Sequence, residues 1–145
     1  MITHTVQAKN AIKWIDSLKG GKKGYKKGTY MLGSSEVDDN GYPEKYCCLG
    51  VACRTLDLKV ANWGDGSDKR LVKKLGLNDA NGEFVDHKTT FLKSLNKQTY
   101  ITGINDITFA KDTTFTNIRK FILKNLDYIF IPDVAKKLKE HYNRK

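Results

Sequence analysis

Residues 44–56 read EKYCCLGVACRTL, and how this stretch is read decides the fold. Its first residues have strand character. From Cys48 to Leu58 the pattern turns helical, apolar nearly all round until Arg54. A helix that is apolar on most faces is buried on most faces. Gly50 inside it costs about 1 kcal/mol relative to alanine, so a second element is expected to pack closely against the helix there. On this reading the cysteines are small apolar residues of a core.

Working outward, GTYMLG (28–33) reads as a short strand that enters the acidic, turn-rich SSEVDDNGYPE (34–44). With EKYCC on the far side, a hairpin spanning this loop is expected. Upstream, Ala8, Ala11, Ile12, Ile15 and Leu18 recur at helical spacing and predict a helix from about Val6 to Lys19, capped by Thr5 and ended by Gly20–Gly21. The basic segment KGGKKGYKKG (19–28) follows as a loop.

Downstream, KVANWGDGSD carries Trp63 and leads to a short helix over Asp68–Leu75, capped by Asp68 and stopped by Gly76. LNDANGEFVD reads as a turn with a short strand, and 92–107 as irregular chain or a short helix. Thr113 or Thr114 caps a helix with the stripe Phe115, Ile118, Ile122 and Leu126, which Pro132 breaks. A final basic helix lays Val134, Ala135, Leu138 and Tyr142 on the body. Without a repeat or a Pro/Ser-rich linker, residues 1–145 are expected to form a single α+β domain, with several helices packed on a small antiparallel hairpin or sheet.

Composition fits a modest core: 39% of the 145 residues are hydrophobic and 29% charged. No apolar run approaches the roughly 18–20 residues that span a bilayer, and MITHTVQAKNAIKW lacks the order of a signal peptide. Three cysteines, two of them adjacent, do not form a secreted disulfide framework. A cytoplasmic protein with no membrane partner is expected. The net charge of +10 is concentrated in clusters: Lys19, Lys22, Lys23, Lys26 and Lys27; then Lys69, Arg70, Lys73 and Lys74; then Lys136, Lys137, Lys139, Arg144 and Lys145. Such a field attracts anions, whether nucleotides, nucleic acid or acidic protein surfaces. The plain alternative is a set of solvated faces.

Catalytic and metal chemistry finds little footing. Adjacent Cys47 and Cys48 point their side chains apart, and His4, His87 and His141 are isolated in sequence, so no zinc site is expected. A cysteine nucleophile would use Cys47 or Cys48 at a strand-to-helix turn, with His87 as base. No family signature accompanies these residues. The Gly20–Gly28 segment lacks the Ser/Thr-bearing helix of a P-loop and follows a helix where a P-loop follows a strand. Its lysines and turn amides, with Tyr25 and Tyr30 as stacking faces, suit phosphate contact nonetheless. Asn105–Asp106 reads as a turn or cap, and Trp63 as either a stacking face or a side chain at the edge of the core. No cofactor is called for.

KYCCLGVACRTLDL (45–58), followed by Trp63, resembles the CCLGVLCDL hallmark of a family of small, largely uncharacterised bacteriophage proteins. In the same order, WIDSLKGGKKGYKKGTYML, KRLVKKLGL and ITGINDITFAKDTTFTNIRKFI resemble other parts of that family, so the resemblance covers about Ala11 to Ile122. The chain departs from the pattern at Ala52–Thr55, where a base, Arg54, replaces an acid, and at Ile104, where the family has leucine. The resemblance implies an accessory protein made inside an infected bacterium. It brings no catalytic residues.

These readings lead to a non-catalytic binder of an anionic partner, such as a nucleotide signal of host defence. The chosen residues are Lys22, Lys23, Tyr25, Lys26, Lys27 and Tyr30, with Arg54 and Trp63 as second choices. Arg54, at the edge of the apolar stretch, is placed to point a fixed charge into a pocket. The alternatives are direct binding to an acidic host protein and a small enzyme using Cys47 or Cys48 with His87. Nucleic-acid binding is a variant of the first reading, supported by charge without a motif.

Overall fold

The computed structural model describes residues 2–18, 26–27, 32–46, 48–63, 69–78 and 114–143. These residues are mostly helical. In chain order they form α1 (His4–Ser17), β1 (Lys26–Lys27), β2 (Lys45–Tyr46), α2 (Cys48–Thr55), α3 (Arg70–Leu75), α4 (Phe115–Lys124), α5 (Leu126–Ile129) and α6 (Pro132–Tyr142). Among them no helix is long and apolar enough to cross a membrane.

The first helix is the hub, and it packs against α2, α3, α4 and α6. It starts earlier than the sequence suggests, because Thr3 and not Thr5 is the cap. Thr3 is extended (φ −91°, ψ 162°) and its hydroxyl accepts from the Val6 N–H at 3.2 Å. The inward face carries Ala8, Ala11, Trp14 and Ile15, the last three with no exposure. Trp14 packs edge-on against Phe130 and donates from Nε1 to the Cys48 carbonyl at 2.8 Å, so its one polar atom is satisfied inside the core. Two polar side chains of α1 finish another helix: Gln7 Nε2 donates to the Lys73 carbonyl at 2.7 Å and Asn10 Nδ2 to that of Lys74 at 2.8 Å. These are carbonyls of the last turn of α3, for which a helix has no N–H donors of its own.

The second helix is buried from Cys48 to Cys53. Its crowded side is at Gly50, where an added Cβ would stand 1.7 Å from the carbonyl oxygen of Leu32. The expected close partner is therefore the backbone of the preceding segment. The helix stops at Thr55, three residues short of the expected Leu58. Asp57 takes a left-handed conformation (φ 54°), the Leu58 N–H reaches the Cys53 carbonyl (2.9 Å) and the Asp57 N–H reaches that of Arg54 (3.1 Å). This paired arrangement is a Schellman stop.

The third helix begins at Arg70, with Lys69 rather than Asp68 at the cap position; Asp68 lies outside the described residues. Gly76 ends it in the left-handed region (φ 67°), where its bare Cα also admits Val134. Thr114 caps α4 through the Asn117 N–H at 3.2 Å. That helix breaks at Asn125, before Pro132. The Asn125 N–H turns back to Ile122 (3.1 Å), and the change of direction lets Leu126, Ile129 and Phe130 all reach the core. Pro132 instead opens α6 in its first turn, where a missing N–H is harmless. Val134, Ala135 and Leu138 of α6 are fully buried.

Among the described residues strand content is slight. The two-residue strands β1 and β2 pair in parallel, Lys26 with Lys45 and Lys27 with Tyr46, whereas an antiparallel hairpin was expected. Among the described residues antiparallel contact is limited to single bridges, Gly33 to Tyr46 and Val37 to Pro43 within the loop, and Leu77 to Phe130 elsewhere. The expected elements in 28–31 and 79–113 lie outside the described residues.

Asp16, Arg119 and Tyr142 tie α1, α4 and α6 together at the rim. The Tyr142 hydroxyl donates to Asp16 Oδ1 at 2.8 Å, and Arg119 Nη2 approaches the same oxygen at 3.2 Å. Partial burial, and then the Asp16 carboxylate, push the Tyr142 phenol well above its ordinary pKa of 10.0. A folded-state pKa above the unfolded one gives stability that is whole below about pH 10 and is lost as pH rises further, because the native state then holds more protons. Urea unfolding compared at about pH 9 and pH 11 should show a smaller loss in Tyr142→Phe than in the wild type. An equal loss would contradict this.

Candidate functional site: a cavity at the end of the second helix

The Schellman stop of α2 turns the chain outward into residues 58–63, and loop 33–46 folds across from the other side. Between them lies a half-open cavity of about 630 Å³ lined by Tyr42, Arg54, Asp57, Lys59 and Trp63, with Cys53, Leu58 and Val60 among its other walls. Each wall is fixed by local chemistry. Asp38 Oδ1 accepts from the Asn40 and Tyr42 N–H groups at 2.9 and 3.0 Å, which closes the turn bearing Tyr42. Gly33 slots between Pro43 and Trp63, where a Cβ would stand 2.4 Å from the proline ring and 2.9 Å from the indole. The Gly33 N–H donates to the Trp63 carbonyl (2.8 Å), and the indole meets Tyr46 edge-on at 5.6 Å. On the opposite side Arg70 Nη2 holds the Lys59 carbonyl at 2.6 Å.

Arg54 is the central group. Its guanidinium carbon sits 3.6 Å above the centre of the Tyr42 ring, a stacking distance for a cation on an aromatic face. Its Nε is buried and, among the described residues, has no hydrogen-bond partner. An orphaned donor on a permanently charged group is costly unless something else satisfies it. Lys59 adds a second cation to the lining, and Asp57 an acceptor. Such a lining can hold an anion by charge and a planar group by stacking.

The structure brings together Arg54 and Trp63 of the sequence-chosen set. Lys26 lies exposed in β1 and does not line the cavity; the backbone of Lys27 pairs beside it. Lys22, Lys23, Tyr25 and Tyr30 lie outside the described residues, as do Cys47 and His87. Cys48 is fully buried and offers no sulfur to a substrate. Among the described residues no three His, Cys, Asp or Glu side chains could hold a metal ion. Lys136 and Lys137 of the third basic cluster border a smaller hollow of about 300 Å³, but Asp133 and Glu140 border it too, so its charges offset one another.

Sequence reading missed Tyr42, Asp57 and Lys59. Tyr42 sits in an acidic turn with nothing to mark it as a platform. Asp57 was hidden by the expectation that the helix runs on to Leu58. No protein-family model, curated protein or solved structure matches the chain.

Proposed function

We propose that the chain is a bacteriophage accessory protein that acts in the cytoplasm of an infected bacterium and captures a nucleotide-type anion, a signal of host defence, without chemical turnover. The YCCLGVACRTLDL resemblance supplies the setting, within an α+β domain whose small antiparallel element is completed around loop 33–46. One observation carries the binding reading: the Arg54 guanidinium, stacked on Tyr42 with a buried Nε that has no partner among the described residues, borders a cavity of about 630 Å³. That volume lies within the range of small-molecule sites. The +10 charge of the chain favours the approach of anions.

Calorimetric titration of the full chain with ribonucleotide monophosphates tests this. Binding is expected, and it should weaken on roughly tenfold higher salt as exposed charges are screened. Binding that ignores salt, or no nucleotide binding at all, contradicts the reading.

A second reading is direct capture of a host protein. Val37 is 54% and Tyr42 37% exposed on the loop beside the cavity, an apolar pair at the edge of a basic molecule. A host polypeptide that co-purifies with the chain, in the absence of nucleotide binding, would favour this reading.

A further inference from the structure

Asp57 is an unusual choice for its position. The left-handed residue of a Schellman stop is most often glycine, since a side chain there crowds the backbone. Asp57 occupies it with φ 54°, and it also lines the cavity with Arg54, three residues earlier in the chain. Among the described residues neither side chain is in an ion pair, although each carries charge of opposite sign at the same cavity. A non-glycine residue kept in the left-handed region, beside a cation with no ion pair among the described residues, points toward ligand chemistry.

A carboxylate is an acceptor only, so its best complement is a face presenting two neighbouring donors. Among the common bases guanine has this face, with N1–H beside the exocyclic amine. Adenine and cytosine place an acceptor nitrogen next to their amine, and hypoxanthine lacks the amine. Arg54 and Lys59 suit the phosphate, and Trp63 and Tyr42 offer apolar ring surface for the base.

We propose that Asp57 makes this cavity selective for guanine nucleotides, by accepting from the guanine edge while Arg54 holds the phosphate. This rests on the nucleotide-binding reading above and adds the identity of the base and the residue that selects it.

The test uses guanosine, inosine and adenosine 5′-monophosphates as probes on the full chain, with wild type, Asp57→Asn and Asp57→Gly compared. Wild type should bind the guanosine nucleotide at least roughly tenfold more tightly than the other two, as expected for a charge-assisted contact. Asp57→Asn, which tolerates the left-handed backbone, should bind the guanosine and inosine nucleotides within about threefold of one another. Asp57→Gly should lose the same preference while melting at an equal or higher temperature, because it relieves the backbone. Equal binding of the guanosine and inosine nucleotides by wild type overturns the proposal, and so does a preference that survives Asp57→Asn. In either case binding that still depends on Arg54 would leave the nucleotide-binding reading standing. If wild type binds none of the three, both fall.

Discussion

Gly50→Ala is expected to lose about 3 kcal/mol of folding stability, a large share of the roughly 5–15 kcal/mol that holds a typical domain together. In an exposed helix the same change would add about 1 kcal/mol through better helix propensity. Here the new methyl carbon would stand 1.7 Å from the Leu32 carbonyl oxygen and 2.7 Å from its carbon. Both are backbone atoms, so no rotamer change relieves the clash. The helix cannot easily retreat, because the Cys48 carbonyl is held by Trp14 Nε1 and residues Cys48–Cys53 are buried. Urea unfolding of both proteins measures the difference. Stability within about 0.5 kcal/mol of wild type would mean that the segment bearing Leu32 is not packed on α2.

The second large effect concerns binding. Arg54→Leu should reduce nucleotide affinity by roughly a hundredfold, the scale of a lost bidentate charge-assisted contact to phosphate, yet leave the fold intact. The stack on Tyr42 contributes about 0.5–1 kcal/mol. Against it stands the desolvation of Nε, which has no partner among the described residues and costs about 1–3 kcal/mol. The cost equals or exceeds the gain, so the melting temperature should hold or rise. Arg54→Lys keeps the charge but not the planar fork, and its affinity should fall between the two. A structural arginine would give the reverse pattern, with melting lowered and affinity little changed.

Much of the fold was legible because its signals are local. The periodicity of Ala8, Ala11 and Ile15 marks α1, Gly76 marks the end of α3, and Thr114 marks the start of α4. Gly50 foretold a close contact, though not that Leu32 would provide it. The errors came where tertiary packing overrode local preference. Burial of Leu126, Ile129 and Phe130 on one core moves the break to Asn125, and the hydrogen bonds of a Schellman stop end α2 before Leu58. Strand pairing joins residues far apart in the chain, which explains why the parallel match of Lys26 with Lys45 carried no local sign.

The cavity was legible only in part. Arg54 stood out as a charge ending an apolar stretch, and Trp63 as an aromatic in a glycine-rich linker. Their meeting with Tyr42 depends on the Asp38 turn and on the bare Cα of Gly33. A reading of lysine density looked instead to Lys22–Lys27. Charge clusters report the long-range field of a protein, whereas a binding site needs a concave surface with convergent groups.

The central claim is that Arg54 holds an anionic ligand in the cavity at the end of α2. Calorimetric titration of wild type and Arg54→Leu with guanosine 5′-monophosphate, in one buffer and with both melting temperatures recorded, tests it most directly. The account predicts binding by wild type, roughly a hundredfold weaker binding by Arg54→Leu, and no fall in the melting temperature of the variant. Equal binding by the two proteins would contradict it, as would a wild type that binds no nucleotide.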